Sequence, residues 1–254
     1  MKTEKIKILL SGANGKMGHA IRALCAGRDD CEIVAGLDIN CAEEAPFPIY
    51  GRPEECAEKV DVVIDFSHPS FLEPLLAYCK EKKLPAVLAT TGYSPEQVDK
   101  IRAAAAEMPI FFTANMSLGV NLLASLCEKA AAILGRDFDI EIIEKHHNQK
   151  IDAPSGTALM LADRISGALE KKPQYVYDRH SERRRRRRDE IGLHAVRGGT
   201  IVGEHEVLFA GPDETLSITH AAVSKQVFAV GAINAALFLA SRPAGLYDMG
   251  DLVV

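Results

Sequence analysis

Three features of the sequence predict an α/β protein made of a doubly wound parallel sheet followed by a second, α+β part with an open, mostly antiparallel sheet. Over residues 1–116, short β-branched runs alternate with helical patterns, as in parallel sheets joined by crossover helices. The turn between the first strand and the first helix is rich in glycine: Gly12-Ala13-Asn14-Gly15-Lys16-Met17-Gly18. Beyond residue 190, strand-like runs follow one another with glycine turns and no helix between them.

Taken in order, "KIKILLSG" reads as a strand and Gly15 to Ala26 as a helix that ends near Gly27. "CEIVAGLD" and "DVVIDFS" are two further strands. A helix through Phe71, Leu75 and Cys79 precedes the strand "PAVLATTG". Ser94-Pro95-Glu96-Gln97 opens the next helix with an N-cap, a proline at the first helical position and a glutamine three residues after the cap. "PIFFTAN" closes the alternating series. "DIEIIEKHH" starts the second part as a strand, and "GTALMLADRISGALEK" is an amphipathic helix with Leu161, Ile165 and Leu169 on one face. Successive strands then run through "EIGLHAVRGGTIVGEHEVLFAGPDETLSITHAAVS", with turns at Gly198-Gly199 and Gly211-Pro212-Asp213. The last helix, "QVFAVGAINAALFLASR", is apolar almost all round and is therefore expected to be buried, packed back on the first part. The predicted domains are 1–116 with 227–254, and 117–226.

Composition excludes several classes. The chain has 254 residues, 47% hydrophobic and 26% charged, with a net charge of −5, so no global basic field points to nucleic acid or an anionic membrane. No run approaches the roughly 20 apolar residues of a membrane span. Six cysteines show no C-x-x-C pair or zinc-like spacing, which reads as reduced thiols in a cytoplasmic protein without a metal site. The chain does carry six consecutive arginines, Arg183 to Arg188. Like charges repel, so the run is read as a solvated, flexible loop, with a local anion-attracting role as the alternative; without it 24 basic residues stand against 35 acidic ones.

The glycine turn sits where a dinucleotide needs close approach of its pyrophosphate to backbone N–H groups at a helix N-terminus. Asp38 closes the second strand twenty residues after Gly18 and is placed to accept hydrogen bonds from the adenosine ribose. The first part is thus a Rossmann-type domain, although Asn14 stands where the middle glycine of G-x-G-x-x-G would be. Asp65-Phe66-Ser67, Ala89-Thr90-Thr91-Gly92 and Thr113-Ala114-Asn115-Met116 follow later strands, at the carboxyl ends where open α/β sheets bind ligands, with ordinary turn chemistry as the competing reading.

The stretch "EKHHNQKIDAPSGTA" holds His146, His147 and Lys150, then Ser155, Gly156 and Thr157 at the start of a helix. A metal site, two structural histidines and an active site are the competing readings. No third ligand stands at a recognisable spacing. A histidine acting as acid/base near neutral pH, a lysine as proton donor, and a helix N-terminus that binds a carboxylate together suggest reduction of a small acidic substrate by a nicotinamide.

This stretch closely resembles the signature of the dihydrodipicolinate reductases, or 4-hydroxy-tetrahydrodipicolinate reductases, of lysine and diaminopimelate biosynthesis. The likeness extends to "GANGKMG", "DFSHP", "ATTGY", "ANMSLGVN", "RGGTIVGEHEV" and "GLYDM". It implies NAD(P)H-dependent reduction of 4-hydroxy-tetrahydrodipicolinate, a cyclic dicarboxylate, to tetrahydrodipicolinate. It also implies His146 as acid/base, Lys150 as proton donor, and His147, Lys150, Gly156 and Thr157 around the substrate carboxylates. Gly12, Ala13, Asn14, Gly15, Lys16, Met17, Asp38, Ala89, Thr90, Thr91, Thr113, Ala114, Asn115 and Met116 fall where the family binds the nucleotide, and a homotetramer is implied. The sequence departs from many relatives in having Ile39-Asn40 after Asp38 where they place an arginine, and in its arginine run. A carboxylate at Asp38 with no arginine beside it predicts a preference for NADH of roughly tenfold, with NADPH still usable. Other two-domain dehydrogenases are the nearest alternative, but an aldehyde dehydrogenase would need a cysteine in an active-site turn, and none stands in one. A non-catalytic nucleotide-sensing or nucleic-acid-binding role would lean on the arginine run, against the acidic balance elsewhere.

Overall fold

The computed structural model describes residues 4–113 and 115–252. In chain order the elements are β1 (Ile6–Ser11), α1 (Lys16–Cys25), β2 (Cys31–Leu37), β3 (Ile49–Tyr50), β4 (Val62–Asp65), α2 (Leu72–Lys82), β5 (Ala86–Leu88), α3 (Pro95–Ala104) and β6 (Pro109–Phe112). They continue with α4 (Leu118–Leu134), β7 (Asp139–His146), α5 (Gly156–Ala168), β8 (Gln174–Val176), β9 (Glu190–Arg197), β10 (Gly203–Ala210), β11 (Thr215–Ala222), α6 (Gln226–Leu239) and β12 (Gly245–Tyr247). The chain divides into two compact units, residues 1–117 with 226–254, and residues 118–225.

The first unit is a seven-stranded sheet in the order β12-β6-β5-β4-β1-β2-β3, with neighbouring strands parallel throughout. Ile8, Leu9 and Leu10 of β1, Val62 to Ile64 of β4 and Ala86 to Leu88 of β5 are all buried, which is why these strands read as unbroken apolar runs. Burying each such leucine, isoleucine or valine contributes about 1.5–3 kcal/mol. The helix α3 starts with the expected capping box: Gln97 N–H donates to Ser94 Oγ (3.3 Å), and Ser94 N–H donates to Gln97 Oε1 (3.0 Å). The apolar α6 belongs to this unit and packs on α1, β4, β5 and β6. There the Gly231 backbone lies so close to Met116 that a Cβ at 231 would stand 1.7 Å from the Met116 carbonyl oxygen. The strand order turns back on itself between β1 and β4, so the loops after these two strands flank the crevice where such sheets bind ligands.

The second unit differs from expectation. Its five-stranded sheet, in the order β11-β10-β7-β9-β8, is mixed rather than mostly antiparallel. β7 pairs antiparallel with β10 but parallel with β9, and β8 pairs parallel with β9. The helix α5 lies between β7 and β9 in the chain and acts as the crossover that parallel neighbours require. The Gly198-Gly199 turn therefore makes no hairpin. It crosses the end of β7, where Gly198 N–H donates to His146 O (2.9 Å) and Asn148 N–H donates to Gly199 O (3.2 Å). Gly211-Pro212-Asp213 does form a hairpin, between β10 and β11. Residues 118–134, to which the sequence reading assigned no element, form α4. The helices α4 and α5 cover one sheet face through Leu123, Cys127, Leu161 and Ile165, against Ile140, Ile142, Val207 and Phe209. The short strands β3, β8 and β12 also went unread in the sequence.

The arginine run is only partly the solvated loop expected. Arg186 donates to Asp139 Oδ1 (2.7 Å), Glu141 Oε1 (2.9 Å) and the carbonyls of Ile140 and Glu190 (3.1 and 2.8 Å), and Arg184 pairs with Glu190 and Glu182. The cause is the acidic cluster these residues meet. Glu141 lies across the bare backbone of Gly192, and the Glu190 side chain is fully buried. Burial pushes both carboxyls up, but the guanidinium groups of Arg186 and Arg179 at Glu141, and of Arg184 and Arg179 at Glu190, outweigh it, so both end below the usual carboxylate range. Arg183, Arg185, Arg187 and Arg188 remain exposed, and Arg187 pairs with nearby Asp189.

Candidate active site

In the first unit the glycine turn is built as a close-approach cradle. Gly12 has φ +76°, and a Cβ there would lie 2.5 Å from Phe66 O. Gly12 and Ala13 N–H both donate to Leu37 O, at 2.9 and 3.2 Å, which ties the turn to the end of β2. A Cβ at Gly18 would lie 2.3 Å from Gly12 O, so only glycine lets α1 start this close to the turn. Gly15 caps α1, and exposed Lys16 and half-buried Met17 form its first turn. Asn14, in the place of a middle glycine, is a tie. Its N–H donates to Asp38 Oδ2 (2.9 Å), its Nδ2 donates to Asn40 O (2.6 Å), and its Oδ1 accepts from Arg22 Nη1 (3.1 Å). Asp38 also accepts from Asn40 N–H (3.0 Å). A cavity of about 280 Å³ opens beside Gly12, Gly15, Asp38, Ile39, Phe66 and Ser67. Ser11 lines it too, and its Oγ is buried and without a hydrogen-bond partner among the described residues. A tight glycine turn that leaves no room for side chains, and an acidic residue on the rim of the cavity, fit a dinucleotide.

The other expected nucleotide residues follow the neighbouring strands. Asp65, buried at the end of β4, accepts from Ser67 Oγ (2.6 Å), Thr90 Oγ1 (2.7 Å) and Tyr93 OH (3.2 Å). Ala89 N–H donates to Asp65 O (2.9 Å), and Thr91 is exposed just before Gly92. Asn115 N–H meets Thr113 Oγ1 (3.4 Å) and Asn115 Oδ1 accepts from Ser117 N–H (2.8 Å), while Met116 is buried. Ala114 lies outside the described residues. These residues continue the row of strand ends but do not line the 280 Å³ cavity. The sequence places Asp65 at a ligand-binding strand end, but its contacts with Thr90 and Tyr93, which follow the neighbouring strand, could not be read there.

In the second unit, alternation along β7 puts Ile140, Ile142, Glu144 and His146 on the buried face. Strand pairing sets His205 of β10 opposite Glu144 and Arg197 of β9 opposite His146. His146 Nδ1 lies 2.6 Å from Glu144 Oε2, and Arg197 donates to both Glu144 oxygens at 2.7 Å. Ser155 caps α5: its Oγ accepts from Ala158 N–H (3.2 Å) and meets His205 Nε2 (3.0 Å), while its own N–H donates to Glu144 Oε1 (2.9 Å). Burial, then the neighbouring His146 imidazole, push the His205 pKa down to about 4. The two rings meet edge-on, with centroids 5.2 Å apart.

His147 is half-buried, and its Nδ1 has no hydrogen-bond partner among the described residues. Lys150 Nζ pairs with Asp152 (2.8 Å), whose carboxyl it holds below the ordinary range. Gly156 and Thr157 form the first turn of α5, with Gly156 exposed. The structure therefore gathers His146, Ser155 and the α5 N-terminus around Glu144, with His147 and Lys150 on the loop that joins β7 to α5. Glu144, Arg197 and His205 were missed as site residues. Glu144-x-His146 on one strand face was a readable signal, whereas Arg197 and His205 depend on the pairing of distant strands. A cavity of about 520 Å³ lies at the other end of β7 beside Phe138, Ile140 and Leu169. No acid/base pair comparable to Glu144–His146 lines it. Among the described residues no group of three or more His, Cys, Asp or Glu could hold a metal ion, and no helix is long and apolar enough to cross a membrane.

A parallel sheet with a glycine cradle in one unit and a buried carboxylate–histidine pair in the other are the marks of a two-unit oxidoreductase of the pyridine-nucleotide class. The family models for the N-terminal and C-terminal parts of dihydrodipicolinate reductase match residues 6–116 and 119–253. The chain belongs to that family. It is 49% identical over 244 residues to the 4-hydroxy-tetrahydrodipicolinate reductase of Clostridium tetani, covering 96% of this chain and 95% of that one. It is 50% identical over 248 residues to that of Caldanaerobacter subterraneus, covering 98% of each. In fold it matches the dipicolinate-bound dihydrodipicolinate reductase of Paenisporosarcina sp. TG-14, with a TM-score of 0.81 and 24% identity over 99% of this chain and 100% of that one.

Proposed function

We propose that this chain reduces 4-hydroxy-tetrahydrodipicolinate to tetrahydrodipicolinate with NAD(P)H, in lysine and diaminopimelate biosynthesis. The observation that carries the proposal is the buried Glu144–His146 pair beside the α5 N-terminus and Lys150, a set suited to a dicarboxylate that must be held and protonated. The relatives at 49% and 50% identity bear the name of this activity, and the Paenisporosarcina neighbour was solved with a cyclic dicarboxylate bound.

The nucleotide is held by Gly12, Ala13, Asn14, Gly15, Lys16 and Met17 of the turn and by Asp38. Ala89, Thr90 and Thr91, with Thr113, Ala114, Asn115 and Met116, extend the site along the strand ends. When bound, its reduced nicotinamide supplies a hydride. His146 handles the proton as acid/base, and overall one hydride and one proton are taken up while the 4-hydroxyl group leaves as water. Lys150 releases Asp152, meets a substrate carboxylate and donates a proton, and the unpartnered Nδ1 of His147 gains a partner there. The N–H groups of Gly156 and Thr157 receive the same carboxylate, helped by the dipole of α5.

NADH is preferred roughly tenfold, the factor that 1.4 kcal/mol produces. Asp38 already faces the turn, Ile39 beside it is fully exposed, and Arg22 is committed to Asn14 and Glu43, so none of these balances a 2′-phosphate. The six cysteines are unpaired thiols, in keeping with a cytoplasmic enzyme. His146→Gln and Lys150→Ala are each expected to lower kcat on the order of 10²-fold or more, with NADH affinity unchanged. Wild-type-like kcat in both variants would refute these roles.

A further inference from the structure

Glu144 is fully buried, yet nothing above gives it a role beyond its contacts. Four donors converge on its two oxygens. Oε2 meets His146 Nδ1 (2.6 Å) and Arg197 Nη1 (2.7 Å), and Oε1 meets Arg197 Nη2 (2.7 Å) and Ser155 N–H (2.9 Å). Burial alone would push its carboxyl up, but the guanidinium, the imidazole and the backbone N–H outweigh it and bring it below the usual range. An ionised carboxylate can only accept hydrogen bonds, so His146 Nδ1 must be the donor. In neutral His146 the lone pair then lies on Nε2. That atom faces Gly203, where an added Cβ would stand 3.1 Å from it, so the backbone there is kept bare beside the nitrogen.

We propose that Glu144 is the positioning residue of the site: it fixes His146 as the Nδ1–H tautomer with Nε2 as the proton-exchanging atom and, through Ser155, sets the same helix N-terminus that receives the substrate carboxylate. This rests on the reading of His146 as acid/base. One carboxylate thereby couples the acid/base ring to the carboxylate clamp, and Arg197 locks that carboxylate in place. The other titratable groups around the ring are consistent with this. His205 on β10 stays neutral and puts no charge against an imidazolium, and burial lowers the pKa of His220 on β11. Lys150 on the following loop is paired with Asp152, and Arg197 from β9 reaches the ring only through Glu144.

The first test needs no variant. In ¹⁵N-histidine NMR of the wild-type enzyme, with His146 assigned from the spectrum of His146→Gln, neutral His146 is expected to carry its proton on Nδ1. The Nε2–H tautomer would overturn the proposal, and this readout stands even if a Glu144 variant fails to fold. Glu144→Gln removes the carboxylate that accepts from His146 Nδ1. It is expected to lower kcat about 10²-fold, with NADH affinity unchanged. A kcat equal to that of wild type would refute it. If His146→Gln kept full activity, the acid/base assignment would fall, while the tautomer would still decide whether Glu144 orients the ring.

Discussion

Lowering the pH from about 7.5 to about 5.5 tests the buried histidine of β10 through its linkage to folding. His205 is 4% exposed, its Nε2 is engaged by Ser155, and its Nδ1 has no partner. Burial and the His146 ring hold its pKa at about 4, against 6.5 for an ordinary histidine. A base whose folded pKa is depressed stays neutral in the fold while the unfolded chain takes up a proton. The associated stability is complete above about pH 6.5 and is lost as pH falls toward about 4. At about pH 5.5 the loss comes to about 1.4 kcal/mol, rising to about 3 kcal/mol near pH 4. Glu141, Glu144 and Glu190 are held below their ordinary 4.5, so their contributions stay constant across the chosen window. His220, also lowered by burial, acts in the same direction, so the comparison is with His205→Gln. For a chain of this length 1.4 kcal/mol corresponds to about 3–6 °C in Tm. Calorimetry at the two pH values is expected to show the wild type losing about that much more Tm than the variant. Equal pH dependence in both would refute a buried, neutral His205.

Further outcomes follow from other parts of the molecule. Ile39→Arg is expected to move the kcat/KM ratio toward NADPH, and a wild type that already favours NADPH would show that Asp38 does not control the choice. Arg186→Ala is expected to cost about 1.5–3 kcal/mol in urea unfolding because it strips charged hydrogen bonds from Asp139 and Glu141, whereas Arg183→Ser with Arg185→Ser is expected to cost almost nothing. In light scattering the protein is expected to be a homotetramer, since β11 is an edge strand with exposed Leu216, and a monomer at micromolar concentration would contradict this.

The features legible in the sequence are local ones. Gly12 to Gly18 and Asp38 declare themselves because the turn, the helix cap and the end of β2 lie within one strand–helix–strand unit. His146, His147, Lys150 and Gly156 are contiguous, so their chemistry could be read without knowing the fold. Arg197 and His205 could not, because they reach Glu144 only once β9 and β10 flank β7, an order set by long-range pairing. The same holds for Arg186, whose counterions Asp139 and Glu141 lie more than forty residues upstream. The parallel β7–β9 pair was missed because the Gly198-Gly199 turn resembles a hairpin turn, while the chain crosses the end of β7 instead. For α4 the signal was present: leucine and alanine dominate residues 118–134, a composition with high helix propensity.

The central claim, that the chain is a reductase of a cyclic dicarboxylate, is tested most directly by turnover. Purified protein would be mixed with 4-hydroxy-tetrahydrodipicolinate made fresh by the preceding synthase, and oxidation of NADH followed by absorbance. The account predicts rapid, substrate-dependent oxidation that falls on the order of 10²-fold or more in His146→Gln. NADH left unoxidised by the wild-type enzyme, with NADPH equally inert, would contradict it.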